Sequence, residues 1–301
     1  MMHSQHKENK MYGIDISNWQ KGANLSSAKS AGASFAIIKA TEGVTYVDPY
    51  CDGFYQQAKK IGMLRGVYHF ARGGNPYLEA DYFVNNIKGY LNDCILVLDF
   101  EDPATSQGPN WAKNFLDRVY SKTNIRPLIY MNSATERQFD WSGVVGNYGL
   151  WLAGYPSNNT VGFNAPNMPY SIRNKWNLAI WQYSSSGSIA GIPGKCDVNI
   201  AYMDGNAWNK YASSKSPVTP APVPTVNYPS LYKGVVNAYV GHWQSQMNKV
   251  FPAYSKLVVD NIFGNASISV AKEFQKRVGI TPDGIVGADT WRHLTAYGVR
   301  P

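Results

Sequence analysis

The chain has 301 residues, with 28 Lys+Arg against 20 Asp+Glu for a formal net charge of +8. Its hydrophobic fraction of 44% is enough for a real core and excludes disorder over the whole length. No apolar run approaches the roughly 18 residues of a membrane span, which excludes a transmembrane protein. Charged residues make up only 16%, below the usual quarter, and this favours surfaces that handle polar, uncharged ligands.

The elements begin after a polar leader, residues 1–11, which lacks the apolar stretch of a signal peptide and is expected to be disordered. Residues 12–212 then alternate strand-like runs with helical patterns, which favours parallel βαβ units. We predict eight strands, at 12–17, 35–41, 64–70, 95–101, 127–131, 150–155, 178–183 and 196–200. Five helices fall between the first six, at 25–31, 50–61, 77–88, 111–122 and 133–139. The pattern predicts an α/β barrel whose last part lacks helices; an open α/β sheet is the alternative.

A proline-rich stretch ends this first domain. Residues 213–227 contain the run SSKSPVTPAPVPT, which is typical of a semi-rigid polyproline II spacer. The tail, residues 228–301, has helical patterns at 235–250, 267–278 and 288–296 that predict a small helical bundle. Of the net charge of +8, +5 lies beyond residue 212, so the tail is the more basic part of the chain.

The cysteines and histidines give no pattern of a disulfide framework or a metal site. Cys51, Cys94 and Cys196 are sparse and odd in number, and neither a CxxC pair nor an HExxH motif occurs. The glycine-rich phosphate loops GxGxxG and GxxxxGK[ST] are also absent from the sequence. We therefore expect no metal and no cofactor.

Functional groups of α/β barrels cluster at the carboxyl ends of the strands. Acidic and aromatic residues recur at those ends, a combination that suits a carbohydrate site because carboxylates do acid–base work and rings stack on sugar faces. The candidates are Asp15, Lys39, Glu42, Tyr68, His69, Asp99, Glu101, Tyr130, Tyr155, Trp181 and Tyr183, with Asp197 near the start of the eighth strand.

Asp99 and Glu101 form the sharpest signal, because two carboxylates follow the apolar run ILVL at positions i and i+2. Side chains two apart on a strand point the same way, with Cα atoms about 6.6–7 Å apart. Enzymes that hydrolyse glycosidic bonds place two carboxyl groups about 5–10 Å apart. Asp15 and Asp197 at neighbouring strand ends strengthen this interpretation over that of two solvated acids.

Several candidates have a structural interpretation as well. His69 is equally well explained as a hydrogen-bonded core histidine, and Trp181 and Tyr183 as core aromatics. Lys39 lies on an apolar strand and needs a partner there, because a buried lysine is unfavourable unless it is paired. One of the acids could supply that partner.

Residues 12–210 resemble the family 25 glycoside hydrolases, lysozymes of the Chalaropsis type. The resemblance rests on GIDISNWQ (13–20), AIIKATEG (36–43), GVYHF (66–70), the pair Asp99 and Glu101, LWLA (150–153), WQY (181–183) and DVN (197–199). It implies a (β/α)5β3 barrel that cuts the β-1,4 bond after N-acetylmuramic acid. It further implies that Glu101 is the general acid, that Asp99 is the second carboxylate, and that Asp15 and Asp197 shape the site.

The role of the second carboxylate stays open at this point. Asp99 either attacks the sugar directly or stabilises attack by the substrate's own 2-acetamido oxygen, and we favour the latter because muramic acid carries the acetamide. Two rival functions also remain: a non-catalytic wall-binding protein that keeps the barrel for sugar recognition, and a glycosidase acting on a related polymer such as chitin.

The tail resembles the peptidoglycan-binding 1 family through VDNIFG (259–264) and TPDGIVG (281–287), the latter followed by Thr290 and Trp291. Trp291 and Phe274 are expected in its core. Asn261 departs from a common glycine, but asparagine tolerates the left-handed conformation nearly as well. The expected partner is bacterial peptidoglycan, without nucleic acid or membrane insertion. The absent signal peptide favours a phage lysin that stays in the host cytoplasm until lysis and then acts on the wall.

Overall fold

The computed structural model describes residues 10–214 and 229–295, together with 297 and 299. Most of the predicted leader and of the predicted linker therefore lies outside the described residues. The chain divides into two compact units, residues 1–219 and 220–301. None of the helices in the described ranges is both long and apolar enough to cross a membrane.

The first unit contains a closed barrel of eight strands, which decides against an open sheet. Around the barrel the order is β1, β9, β8, β7, β6, β5, β4, β2, and β2 pairs back to β1. The two-residue β3 pairs antiparallel with Thr41 and Glu42 at the end of β2. The strands are β1 (Met11–Ile16), β2 (Phe35–Glu42), β3 (Tyr46–Val47), β4 (Leu64–Phe70), β5 (Ile95–Asp99), β6 (Leu128–Asn132), β7 (Gly149–Ala153), β8 (Leu178–Gly187) and β9 (Cys196–Ala201).

One strand departs from the predicted parallel arrangement: β9 runs antiparallel to both β8 and β1. Only eight residues, 188–195, connect β8 to β9, whereas a parallel crossover needs a dozen or more. Because β9 is reversed, its first residues lie at the same end of the barrel as the last residues of the parallel strands. Asp197 is accordingly paired with Asp15.

The helices follow the predicted order, with two short extra ones, α6 and α7, that sequence reasoning missed. They are α1 (Leu25–Ser30), α2 (Cys51–Lys60), α3 (Pro76–Asn86), α4 (Gly108–Thr123), α5 (Ser133–Gln138), α6 (Ser142–Val145) and α7 (Gly205–Tyr211). Helix α3 shows why they begin where they do. The Asn75 side chain accepts hydrogen bonds from the backbone N–H groups of Tyr77 and Leu78, and Pro76 occupies the first turn.

Side chains along each strand point alternately into and out of the barrel, which gives two apolar layers. One set of side chains fills the barrel interior, including Phe35, Ile37, Ile95, Val97, Trp151 and Ile180. The alternate set packs against the helices outside, including Ala36, Ile38, Leu96, Leu98, Leu152 and Trp181. At the carboxyl ends of the parallel strands, the interior positions change from apolar to polar and acidic.

The second unit contains the helices α8 (Ala238–Val250), α9 (Asn265–Arg277) and α10 (Ala288–Thr295). They match the three predicted helices within three residues at each end. Phe274 and Trp291 are buried, as predicted, and share a core with Trp243 and Phe263. The Trp291 indole donates a hydrogen bond to the Pro229 carbonyl at 2.7 Å, which ties the start of this unit to α10.

Candidate active site

A cavity of about 180 Å³ opens at the carboxyl ends of the parallel strands. Its lining residues are Asp15, Ser17, Trp19, Lys39, Tyr68, Phe70, Asp99, Glu101, Tyr130, Trp151, Gln182 and Asp197. Four of these side chains carry a carboxyl group and one, Lys39, is a cation. A larger cavity of about 330 Å³ lies at the opposite end of the barrel, but none of its described lining residues is an acid. The smaller cavity is therefore the candidate site for acid–base chemistry.

Asp15 is held by two amide side chains at the end of β1. Its Oδ2 accepts hydrogen bonds from Asn199 Nδ2 at 2.7 Å and from Gln182 Nε2 at 3.0 Å. Gln182 Oε1 in turn accepts from the hydroxyl groups of Tyr130 at 2.9 Å and Tyr155 at 2.6 Å. Because both tyrosines donate to the same oxygen, they fix the amide so that its N–H faces Asp15.

Burial dominates the electrostatics of the four acids. It raises the pKa of Asp15 to about 6. Burial and the neighbouring charge of Asp15 together raise the pKa of Asp197 to about 8. The pKa of Asp99 is raised well above its usual range by burial and by the charges of Glu101 and Asp15. That of Glu101 is also raised, by burial first and by Asp15 second. The site therefore keeps protons at pH values where ordinary carboxyl groups have lost them.

Asp99 contributes a buried acceptor atom that has no partner among the described residues. Asp99 Oδ1 is buried, and none of the residues that the structure describes donates a hydrogen bond to it. Asp99 is the last residue of β5 and is paired with Tyr130 on β6, so its position is fixed by the barrel. Since a buried polar atom without a partner costs free energy, this oxygen is a ready acceptor for a donor supplied by a ligand.

Lys39 has its partner on its own strand. Its ammonium group lies 2.5 Å from Glu42 Oε2 and 4.8 Å from the centre of the Phe70 ring. Glu42 also accepts a hydrogen bond from Arg72 Nε at 2.7 Å. Burial tends to raise the pKa of Glu42, but these two cations outweigh it and the pKa is lowered. Glu42 is not among the cavity-lining residues, so its link to the cavity runs through Lys39.

Three predicted substrate contacts occupy other positions. The His69 ring is completely buried, with Nδ1 2.8 Å from Thr41 Oγ1 and Nε2 3.0 Å from Glu79 Oε2. The Trp181 indole donates to the Gly154 carbonyl, and the Tyr183 hydroxyl to the Gly162 carbonyl. We correct the earlier assignment: successive side chains of a strand point to opposite faces, and these three belong to the outward set.

Sequence reasoning missed several lining residues, namely Ser17, Trp19, Phe70, Trp151 and Gln182, and also Asn199, which supports Asp15. The alternation rule would have found most of them. Phe70 is two residues after Tyr68, and Asn199 is two residues after Asp197. Trp19 lies in the turn that follows β1 and is 84% exposed. No periodicity marks that position.

A closed α/β barrel with four carboxyl groups of raised pKa clustered at the carboxyl ends of its parallel strands defines a glycosidase-type site. Comparison with known families agrees with this class. The family described as "Glycosyl hydrolases family 25" matches residues 14–192, which is more than half of the chain. The chain therefore belongs to this family, and the resemblance seen in the sequence is confirmed.

Individual relatives support the assignment. The chain is 36% identical over 203 residues to "Lysozyme M1" of Streptomyces globisporus, covering 62% of this chain and 66% of that protein. It is 32% identical over 201 residues to "N,O-diacetylmuramidase" of Chalaropsis sp, covering 60% of this chain and 90% of that one. A crystal structure of the bacterial lysozyme from Streptomyces coelicolor superposes with a TM-score of 0.57 at 32% identity, covering 67% of this chain and 96% of the other.

The tail also matches a known family. The family described as "Putative peptidoglycan binding domain" covers residues 243–294. This range begins inside α8 and ends inside α10, so it spans all three helices of the second unit.

Proposed function

We propose that the protein is an N-acetylmuramidase that hydrolyses the β-1,4 bond between N-acetylmuramic acid and N-acetylglucosamine in bacterial peptidoglycan. The observation that carries this proposal is the cluster of Asp15, Asp99, Glu101 and Asp197 in one cavity, with raised pKa values and an unpartnered oxygen on Asp99. The names of the relatives, a lysozyme and an N,O-diacetylmuramidase, support the same substrate. We assign the barrel to the (β/α)5β3 type, since helices α1 to α5 follow the first five parallel strands and β7, β8 and β9 succeed one another without a helix.

Glu101 acts as the general acid. Burial and the charge of Asp15 raise its pKa, so that it retains its proton to higher pH than an ordinary glutamic acid does. It gives that proton to the glycosidic oxygen as the bond from this oxygen to C1 of the muramic acid breaks. The leaving sugar departs with a neutral hydroxyl group, and Glu101 is left as a carboxylate.

Asp99 stabilises attack by the 2-acetamido group. The acetamide N–H donates to Asp99 Oδ1, the buried acceptor to which no residue in the described part of the chain donates. A hydrogen bond of this kind favours the ionised form of Asp99 and lowers its pKa, so substrate binding opposes the rise in this pKa that burial causes. The acetamide oxygen then attacks C1 and forms a cyclic intermediate, whose developing positive charge is balanced by the Asp99 carboxylate.

Water completes the reaction. The Glu101 carboxylate takes a proton from a water molecule, the resulting hydroxide adds to C1, and the bond from C1 to the acetamide oxygen breaks. Glu101 is protonated again, and the acetamide is restored. Two successive displacements at C1 give retention of the β configuration, which proton NMR of the fresh product measures directly.

Aromatic and amide groups position the sugar. Trp19 is exposed beside the acids and offers a flat surface for a pyranose ring. Tyr68 and Tyr130 line the wall of the cavity, and Tyr155 contacts it through Gln182. These contacts orient the scissile bond between Glu101 and Asp99.

The tail, in this proposal, holds the enzyme on the cell wall, and the whole protein acts as an endolysin, in the host cytoplasm until lysis and on the wall afterwards. The match to a peptidoglycan-binding family supports this role. Expression in the bacterial cytoplasm is the test: cells should stay intact until the membrane is permeabilised and then clear rapidly. Clearing without permeabilisation would contradict it.

The Glu101→Gln variant tests the enzymatic proposal. It keeps the size of the side chain but removes the transferable proton, so turbidity clearing of purified cell walls should fall by at least about 100-fold, the lower end of general-acid effects. Mass spectrometry of the wild-type digest should find N-acetylmuramic acid at the new reducing ends. Near-normal clearing by the variant, or N-acetylglucosamine at those ends, would refute the assignment.

A further inference from the structure

The second unit contains an internal duplication that begins at a buried glutamine, Gln244 on α8. The Gln244 Nε2 atom donates to Asp260 Oδ1 at 2.8 Å, to the Ile262 carbonyl at 3.1 Å and to Ser267 Oγ at 3.4 Å. Its Oε1 accepts from the backbone N–H groups of Asp260 at 3.1 Å and of Asn261 at 3.2 Å; the Asn261 contact is the one that the second copy repeats. One side chain thus organises the whole loop that leads into α9.

Gln275 on α9 repeats the same contacts one helix later. Its Nε2 donates to Asp283 Oδ1 at 2.7 Å, to the Ile285 carbonyl at 3.0 Å and to Thr290 Oγ1 at 3.0 Å. Its Oε1 accepts from the backbone N–H of Gly284 at 2.8 Å. In both copies seven positions separate the aspartate from the hydroxyl residue, so the two loops are structural repeats of each other.

One segment bridges the two repeated loops. Leu231 forms an isolated antiparallel bridge with Val286 in the second loop, and Val236 forms one with Ile262 in the first. Between these bridges, the Gly234 N–H donates to the Phe263 carbonyl. The residues from 231 to 236 therefore lie alongside both loops and join them into one surface.

The repeated loops leave equivalent apolar side chains on that surface. Phe263 and Val286 occupy one position of the repeat and are completely buried, whereas Ile262 and Ile285 occupy the position before it and are 46% and 43% exposed. The bridging segment adds Tyr232 and Val236, which are 52% and 65% exposed. We call these four exposed residues, Tyr232, Val236, Ile262 and Ile285, the apolar strip. Clustered exposed apolar side chains of this kind mark interaction sites.

We propose that the apolar strip binds the glycan strand of peptidoglycan, a proposal that rests on the wall-binding role given to the tail. The strip itself is uncharged, and it offers an aromatic ring and branched aliphatic groups, which fit pyranose faces and N-acetyl methyl groups. Two equivalent loops on one face also suit a polymer of repeating units. The tail as a whole carries a net positive charge that suits the anionic wall, because residues 229–301 hold eight Lys+Arg and four Asp+Glu.

Cosedimentation of the full-length chain with insoluble, purified peptidoglycan tests the strip. All proteins carry Glu101→Gln so that the wall is not digested. Tyr232→Ala and Val236→Asp should each weaken the apparent Kd at least tenfold. The matched control is Ala253→Asp, which adds the same charge at an exposed site just beyond the far end of α8, about 20 Å along that helix. This control should stay within twofold of its parent.

The outcomes separate the strip from the rest of the proposal. Strip variants that bind within twofold of the parent overturn the strip as the contact surface, whether or not the protein is a muramidase. If a thermal melt shows that Val236→Asp unfolds the tail, the binding of Tyr232→Ala alone decides whether the strip is the contact surface. Hydrolysis of soluble peptidoglycan fragments by the chain with Glu101 intact reports on the active site independently.

A second ligand preparation distinguishes the glycan from the stem peptide. Glycan strands stripped of their peptides by an amidase and then immobilised should bind the parent within threefold of intact peptidoglycan. They should show the same loss with Tyr232→Ala. Binding that disappears with the peptides identifies the stem peptide as the ligand and overturns the proposal.

Discussion

Asp15 is a buried acid that should lower the free energy of unfolding when it is ionised, and Asp15→Asn tests this effect. Asp15 is 8% exposed, and burial raises its pKa from an ordinary value of 3.8 to about 6. Well below pH 3.8 the group is protonated in both the folded and the unfolded chain, so it has no effect on stability. As the pH rises toward 6 the unfolded chain releases this proton more readily than the folded one, and the free energy of unfolding falls.

The expected magnitude follows from the shift of about two pKa units. At about 1.4 kcal/mol per unit, ionised Asp15 lowers the free energy of unfolding by up to about 3 kcal/mol above pH 6. For a domain of about 200 residues this corresponds to a rise in Tm of up to roughly 6–12 °C in Asp15→Asn. Both Gln182 and Asn199 donate to the same oxygen of Asp15, so the single carbonyl of asparagine retains both bonds.

Differential scanning calorimetry between pH 4 and pH 8 measures this effect on the barrel transition. Asp15→Asn should exceed the wild type only slightly near pH 4 and increasingly up to about pH 6. Asp140→Asn serves as the control. Asp140 is exposed, and hydrogen bonds from the backbone and side chain of Ser142 lower its pKa, so its replacement should give no stabilisation. A gain in Asp15→Asn that is the same at pH 4 and pH 7, or no gain at all, refutes the electrostatic reasoning.

Three further substitutions test the roles in the cavity. Asp99→Asn should reduce kcat on cell walls at least about 100-fold, because the amide cannot balance the charge that develops on the sugar; a loss below tenfold contradicts the assignment. Trp19→Ala should raise KM several-fold with little change in kcat, since a stacking contact binds ground state and transition state alike. A fall in kcat alone contradicts this role. Lys39→Met removes a charge that lowers the pKa values of Asp99 and Glu101. The falling limb of the pH profile of kcat/KM should therefore move to higher pH, and a shift to lower pH contradicts the reasoning.

Hydrophobic periodicity was sufficient to predict the barrel strands and their order along the chain. The runs at β2, β5 and β7 are apolar on both faces, as expected for strands covered by helices outside and by a packed interior. The two-residue β3 and the four-residue α6 were not predicted, because elements this short carry no measurable period. The closure of the sheet was predicted from the count of strands rather than from any single residue.

The candidate site was predicted more accurately for acids than for aromatic residues. A carboxylate after an apolar strand is conspicuous wherever it points, so Asp15, Asp99 and Glu101 were found directly. An aromatic residue is favourable on either face of a covered strand, so residue type alone did not separate Tyr68, which lines the cavity, from Trp181, which does not. The position of each residue in the alternation of inward and outward side chains along its strand would have separated them.

The reversed direction of β9 explains why Asp197 belongs to the site. Asp197 lies near the start of its strand, whereas the other acids of the site lie at the ends of theirs. In a fully parallel barrel, an acid at the start of a strand lies at the end away from the chemistry. The connection of eight residues before β9 is too short for a parallel crossover, so β9 must run antiparallel, and its first residues must reach the carboxyl end of β1. The pairing of Asp15 with Asp197 follows from this loop length. Burial, together with the charge that this pairing places beside Asp197, raises the pKa of Asp197 to about 8. The short loop thus helps to determine the charges in the cavity. A connection long enough to let β9 run parallel to its neighbours would move Asp197 to the opposite end of the barrel.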